Sequence, residues 1–521
     1  MQVVETKKTL VFAPHDPDTV LDFIPHAKKF EHNGTAFVAV PHKPEESIVL
    51  RNMGLRDIPA PILLYYNWPG RVKAMSHQKS TSAFLTTYRR ALCLNAPGTG
   101  KTLAALWAAD YLLTEGVIKK VLIVAPLSTL LPVWGKELRH HLPFRQFEIL
   151  TGSRQRRIDL LTNSKAQFFI INHDGFTILT DYFNDIDLVI YDEATALKTP
   201  SSQRFRIFYK WVERRDPWLW LMTGTPIAQS PVDAWALAKL AKSEYVPRSY
   251  TAFRELVMRK VSNYRWVPRP EALEICKKVL QPSIRYSLEE CRELPEVVHI
   301  YRETELSKTQ AAAYKQMEEN AVVWFQQNAV VAVNAAVLLA KLLQIACGVV
   351  YGDAEQIRID AKHRLESLCE LLEEIGVEQG EKVIVYCPLR GVQDWLEQEL
   401  IHKKYEVASV HGSVSKSDRD DIFNTFQNTE RIQILLAHPK VAAHGLTLTR
   451  AKSIIWFSPI YSLEQYEQAN ARIRRLTTDS RTAIYHLYAT PLEKELYRRL
   501  QHKKSVLSDF LNLVKGVNSE V

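Results

Sequence analysis

At 521 residues the chain exceeds the roughly 100–200 residues usual for one domain, so at least two separately packed cores are expected. A composition of 46% hydrophobic and 24% charged residues, with 18 Gly and 25 Pro, excludes a disordered or fibrous protein. The formal net charge of +9 suits a polyanionic partner without requiring one, and six scattered cysteines with neither a CxxC pair nor an HExxH string exclude a zinc-ribbon site and a disulfide framework.

The N-terminal string MQVVETKKTLVFAPHD lacks the apolar core of a secretory leader, which with the cysteine usage points to the cytoplasm. Residues 1–72, rich in Pro and His, are expected to form a small accessory domain that carries no interpretable motif. Five short β-rich runs follow, Ala91–Leu94, Val121–Val124, Phe168–Ile171, Leu188–Tyr191 and Leu219–Met222, with helical patterns such as Leu103–Leu113 and Val133–His141 between them. That alternation predicts a parallel α/β sheet over residues 73–290, and ligands of such sheets sit outside the carboxyl ends of the strands. Residues of about 235–375 predict helix with no strand series, including a helical insertion at about 300–350. The apolar stretch Ala329–Val350 is broken by Asn334, Lys341 and Gln344, so it reads as a buried helix and no membrane partner is expected. A second strand series, Val383–Tyr386, Val407–Val410, Ile432–Leu436, Ser453–Phe457 and Ala483–Tyr488, predicts a second α/β lobe within residues 291–521.

The first strand runs into NAPGTGKT, which places Pro97, Gly98, Thr99, Gly100, Lys101 and Thr102 in a loop that opens a helix. Glycines let backbone N–H groups close around phosphate oxygens and the helix N-terminus favours anions. Lys101 can then reach the outer phosphates, and Thr102 can hold magnesium. The usual pattern has Gly or Ala where this chain has Asn95. After the fourth strand, Asp192 and Glu193 suit a division of labour in which Asp192 binds magnesium and Glu193 orients and deprotonates the attacking water. Thr223, Gly224 and Thr225 follow the fifth strand, where they can register the γ-phosphate or simply make a turn. Upstream, the Gln78 amide can pair with both a donor and an acceptor on adenine, its plain alternative being a helix-surface glutamine.

Gln78, APGTGKT, VAPLSTLLPVWGKEL, INHDG, YDEATALKTPSS and TGTPIAQS, in that order, resemble the first lobe of superfamily 2 helicases and specifically SWI/SNF-type ATPases. The resemblance continues through EKVIVYCPLRGVQDWLEQEL, VHGSVSKSDRDDIFNTF, AAHGLTLTRAKSIIWFSP, QANARIRR and ATPLEKELYRRLQHKK, so it covers about residues 75–505. It implies two RecA-like lobes, ATP and Mg2+ as cofactors, and arginine fingers at Arg472 and Arg475 with Arg474 turned to solvent. It further implies nucleotide contact at Gly445 and a coupling role for Gln468. Nucleic-acid contacts are implied at Ser128, Thr129, Asn172, His173, Arg390, His411, Gly412 and Thr447, where hydroxyl and backbone groups hold phosphates without reading sequence. Thr195 stands where the family usually has His, Ile227-Ala228-Gln229-Ser230 replaces Leu-Gln-Asn, and LTTD follows Arg475 in place of Ile-Gly-Gln.

The expected activity is ATP-driven translocation on duplex DNA that remodels DNA structures or protein–DNA complexes, by a compact chain similar to stand-alone phage and bacterial members. A strand-separating DNA or RNA helicase and an ATP-gated interaction protein are the alternatives. Residues 1–72 are expected to dock DNA or a replication or recombination protein. MRKVSNYRWVPRP, carrying Arg259, Lys260, Tyr264, Arg265, Trp266 and Arg269, reads as a solvated helix with inward aromatics or as an added DNA-facing surface.

Overall fold

The computed structural model describes residues 2–55, 57–227, 230–262, 265–291, 297–327, 332–351, 356–378, 381–442, 448–473 and 482–501. One compact unit holds Met1–Cys291 and the other Arg292–Val506.

The first unit opens with a four-stranded antiparallel sheet in the order Gln2–Val4, Thr9–Phe12, Thr35–Pro41, Lys28–His32. Alternation along the strands puts Leu10, Phe12, Val38 and Val40 on one face. There they pack with Val20, Ile24, Leu50 and Ile58 in a core of their own. The helix Pro17–Phe23 starts cleanly because Asp16 accepts from the Asp18 amide at 3.0 Å and proline occupies the first turn. Beyond this core the chain is tied to the next layer: Tyr66 donates to Asp110 at 2.5 Å, and the Trp107 indole donates to the Pro69 carbonyl at 2.8 Å.

A seven-stranded parallel sheet follows, ordered Ser283–Ile284, Arg90–Cys93, Trp218–Met222, Leu188–Asp192, Val121–Ala125, Phe168–Asn172, Phe147–Ile149. Its five central strands are the five anticipated runs. Apart from Arg90, Asn172 and Asp192 at strand ends, each is apolar because both faces are covered, as parallel sheets require. Helix Lys101–Thr114 is buried on nearly every side from Leu103 to Leu112, so its sequence is apolar all round. The expected helix Val133–His141 is a π-helical turn, Leu130–Gly135, that continues as α-helix Lys136–His141.

The second unit carries a six-stranded parallel sheet ordered Val297–Glu303, Thr482–Tyr488, Ala451–Trp456, Lys382–Tyr386, Ile434–Ala437, Val407–Val410. Two parallel-sheet α/β lobes with helical additions are therefore present. The region of about 235–375, expected to be mostly helical with no strand series, holds helices and short strands together. Helices Ala234–Leu240, Tyr250–Val257, Ala272–Val279, Lys308–Gln327, Ala332–Ala346 and Lys362–Leu372 are present. So are the hairpins Met258–Ser262/Arg265–Pro268 and Val349–Tyr351/Gln356–Arg358, and the edge strands Ser283–Ile284 and Val297–Glu303. These strands are short or largely exposed, so they lack the apolar run that announces a central strand. In the helix Ala332–Ala346, Leu342, Ile345 and Ala346 pack against Tyr314. Among the described residues no helix is long and apolar enough to cross a membrane.

Candidate active site

The phosphate loop begins where strand Arg90–Cys93 ends, and left-handed glycines shape it: Gly98 has φ +86° and Gly100 φ +80°. A Cβ on Gly100 would lie 2.2 Å from Gln78 Nε2, so the Gln78 amide sits directly against the loop, while the positive φ is what favours glycine there. Gln78 is buried, with its Oε1 accepting from the Met75 amide at 3.0 Å at the start of helix Ser76–Thr87. Its neighbour His77 donates from Nε2 to the Thr99 carbonyl at 2.8 Å, and burial pushes its pKa down, so the ring props the loop as a neutral imidazole. Asn95 is no defect in the pattern. Its side-chain Nδ2 donates to Thr81 Oγ1 and its side-chain Oδ1 accepts from the Tyr286 amide, each at 2.9 Å, pinning the loop between a helix and the edge strand. Lys101 donates to the Asn95 carbonyl at 2.7 Å. Burial pushes this ammonium below its usual range, and Glu193, Cys93 and Asp192 pull it back up.

Asp192 closes the strand Leu188–Asp192. One carboxylate oxygen accepts the Trp134 indole N–H at 3.0 Å, the other accepts the Glu193 amide at 3.0 Å, and the Asp192 carbonyl accepts from His173 Nε2 at 2.9 Å. The His173 ring lies flat on Tyr191, 4.9 Å between centroids and 4° between planes, so it too is a brace for the carboxylate strand. Glu193 has φ +50°, a left-handed conformation that costs a side-chain-bearing residue on the order of 1–2 kcal/mol and redirects the chain between Asp192 and Ala194.

The turn after strand Trp218–Met222 packs on the phosphate loop: a Cβ on Gly224 would sit 2.9 Å from Pro97 Cδ. Thr223 and Thr225 are buried, with the Thr225 amide donating to Thr223 Oγ1 at 3.1 Å. The loop, the carboxylate pair and the threonine turn thus end three adjacent strands of one sheet, and the Lys101 electrostatics register both acids. Thr102 lies in the first turn of the loop's helix. Trp134, His77 and the bonding of Asn95 carry no local sequence signal for these roles, because each depends on a partner remote in the chain.

Of the nucleic-acid candidates, Ser128 and Thr129 form a short turn after strand Val121–Ala125, with the Thr129 hydroxyl bonded to the Pro126 carbonyl at 2.9 Å. Asn172 caps helix His173–Leu179, and its Oδ1 is buried without a hydrogen-bond partner among the described residues. In the second unit Arg390 begins helix Arg390–His402 and pairs with Asp394 at 3.0 Å, His411 bonds Ser413 at 3.0 Å, and Gly412 is exposed with open space about it. Gln468 is buried on helix Leu463–Asn470, and its carbonyl accepts from Arg472 Nε at 3.0 Å. Gly445, Thr447, Arg474 and Arg475 lie outside the described residues, as do Ala228, Gln229 and Tyr264.

A parallel sheet with a phosphate loop, a paired carboxylate and a threonine turn at adjacent strand ends defines a nucleoside-triphosphatase lobe. The SNF2-related domain matches residues 77–347 and the helicase conserved C-terminal domain residues 363–477. The chain belongs to the SNF2-related family, the SWI/SNF-type ATP-dependent DNA translocases of superfamily 2. It is 27% identical to putative protein p41 of Acyrthosiphon pisum secondary endosymbiont phage 1 over 80% of this chain and 92% of that one. It is 24% identical to the CHD3-type chromatin-remodeling factor PICKLE of Arabidopsis thaliana over 79% of this chain, but spans only 32% of that protein. A Sulfolobus solfataricus SWI2/SNF2 ATPase core solved in complex with dsDNA aligns over 85% of this chain and 93% of its own, with 21% identity and a TM-score of 0.40.

Proposed function

We propose that this chain couples magnesium-dependent ATP hydrolysis to movement on duplex DNA, remodelling DNA structures or the proteins bound to them. The observation that carries the reading is the meeting of the Lys101 loop, Asp192 with Glu193, and the Thr223–Thr225 turn at adjacent strand ends. In it, Lys101 and the loop amides hold the phosphates and Glu193 takes the proton of the attacking water. Arg472 and Arg475 neutralise the charge that builds on the γ-phosphate. Gln78 and Gly445 contact the nucleotide, while Thr223, Gly224, Thr225 and Gln468 transmit its state.

Magnesium fits the residues present. The Asp192 carboxylate ends its strand held by the Trp134 indole and the Glu193 amide, an acid suited to the water shell of a hard cation, and Thr102 supplies a hydroxyl. When bound, the ion supplies charge neutralisation at the β- and γ-phosphates.

In this reading residues 1–72 are an accessory domain, 73–290 the ATP-binding lobe and 291–521 the second lobe, working in the cytoplasm of a bacterial or phage-infected cell. The phage relative supports that setting. The accessory sheet, with its separate core, docks DNA or a replication or recombination protein; deleting it changes substrate preference and spares basal ATPase.

The deciding experiment is steady-state ATP hydrolysis without nucleic acid and with duplex DNA, single-stranded DNA or RNA, beside Glu193→Gln. Duplex stimulation that vanishes in the variant supports the translocase. Equal rates in all four conditions overturn it and favour an ATP-gated interaction protein.

A further inference from the structure

The hairpin Met258–Ser262/Arg265–Pro268 is a part of the first unit that the ATP site does not explain. Between Met258 and Pro268 the sequence holds three cationic residues, Arg259, Lys260 and Arg265, and no acid. Arg259, Lys260, Val261 and Ser262 are all exposed, and among the described residues the Arg259 and Lys260 side chains have no hydrogen-bond or ion-pair partner. Two-stranded ribbons are marginal by themselves, so this one needs a root. It has one on three sides. Arg254 lies over the Trp266 ring at 4.4 Å. The Arg269 amide donates to the Val257 carbonyl at 2.9 Å, and its Nε donates to the Glu255 carbonyl at 2.9 Å. Buried Met258 receives the Ser230 hydroxyl at 3.8 Å. Ser230 lies five residues beyond Thr225, so one root of the ribbon is the segment that follows the threonine turn in the chain.

We propose that this ribbon is a second contact for the DNA track, lying in a groove of the duplex with cations facing the phosphates on either side. The inference rests on the translocase reading above. Arg259 pairs across the ribbon with Val267 and Lys260 with Trp266, and consecutive strand residues point to opposite faces, so the ribbon carries a cation on each. A ribbon that docked on a flat surface would need its charge on one face. The major groove admits a two-stranded ribbon and has phosphates along both walls, so charge on both faces finds partners there. The Ser230–Met258 contact ties the ribbon to the segment that follows the Thr223–Thr225 turn, which in the proposed reading gives the contact a route to the nucleotide cycle. Cationic residues also protect exposed strand edges from pairing, but edge protection alone predicts no change in DNA binding.

The test is binding of the full-length protein to a labelled duplex, followed by fluorescence anisotropy between about 50 and 200 mM salt, where phosphate contacts govern the salt dependence. Each contact contributes about 0.9 to the slope of log K against log salt. The variant Arg259→Gln/Lys260→Gln should therefore bind duplex with a slope shallower by about 1.8 while its nucleic-acid-free ATPase stays at the wild-type rate. Lys260→Gln alone should show about half that change, which holds the test if the double variant is less stable. A slope equal to the wild type's overturns the proposal. So does a change seen only with single-stranded DNA. Loss of duplex binding by the wild type itself is a different signature, and it overturns the translocase reading beneath.

Discussion

The Trp134 indole N–H donates to the Asp192 carboxylate at 3.0 Å, joining the π-helical turn after one strand to the acid that ends its neighbour. Trp134 is fully buried, so the bond is shielded from competing water. Trp134→Phe keeps the ring and removes the donor. If Asp192 holds magnesium as proposed, Trp134 is an outer-sphere partner, and such partners typically contribute tenfold to hundredfold in metal affinity or activity. A magnesium titration of the ATPase should show a midpoint raised by about tenfold or more, with much of the rate recovered at high magnesium. An unchanged titration would make Trp134 a space-filling residue only.

Asn95 stands where the phosphate-loop pattern has Gly or Ala, yet Asn95→Gly should harm the protein. The variant leaves the Tyr286 amide without its partner and frees Thr81, for a loss of about 1–3 kcal/mol. Chemical unfolding should show that loss, and the KM for ATP should rise without a gain in kcat. A variant as stable as wild type would show that water takes over both bonds.

The buried pair Arg364–Glu493, 2.6 Å apart, joins the helix Lys362–Leu372 to the first turn of the helix 491–501 that follows strand Thr482–Tyr488. Arg364 also donates to the Ala346 and Leu487 carbonyls, and Glu493 accepts from the Ala489 amide. Removing one partner strands a charge in the core, so Glu493→Leu should cost about 3–5 kcal/mol. Arg364→Met/Glu493→Leu should recover a good part of it, measured by the same unfolding curves. A double variant worse than the single would show that the carbonyl bonds of Arg364, not its charge, dominate.

His486 predicts an acid limit. It is buried against Tyr466, which lies 2.7 Å from its Nε2, and burial, with His299 nearby, holds its pKa down at about 3 from an ordinary 6.5. Between these values the unfolded chain binds a proton that the folded protein refuses. Stability therefore falls as pH drops below 6.5, by about 1.4 kcal/mol per unit, and is fully present above it. Unfolding free energies at pH 7.5 and 5 should differ by about 2 kcal/mol less in His486→Gln than in wild type. Equal differences would mean that other groups set the acid limit.

Central strands were legible because both of their faces are buried: LVIYD and VLIVA can scarcely be anything else in a folded chain. The phosphate loop, the acid pair and the threonine turn were legible because each is a contiguous string whose chemistry is local. What stayed hidden was either short or non-local. Ser283–Ile284 has two residues and no pattern to read, and the Asn95–Tyr286 bond spans 191 positions. The ribbon Met258–Pro268 hid differently: with nearly all of its first strand in solvent, its residues follow charge and not burial, and a helix reads the same way.

The edge strand has a practical bearing on how the chain can be divided. Tyr286 is bonded to the foot of the phosphate loop through both of its backbone groups, its carbonyl accepting from the Ala96 amide at 2.8 Å and its amide donating to Asn95 Oδ1 at 2.9 Å, just before the crossing into the second unit at Arg292. The stretch that leaves the first lobe is thus one wall of its nucleotide loop. A fragment cut at about residue 280, after the last obvious helix, would carry every motif of the first lobe with that wall missing. Fragments meant to bind nucleotide should therefore extend past Tyr286, and a protease site engineered before Ser283 would act on the ATP pocket as much as on the linker.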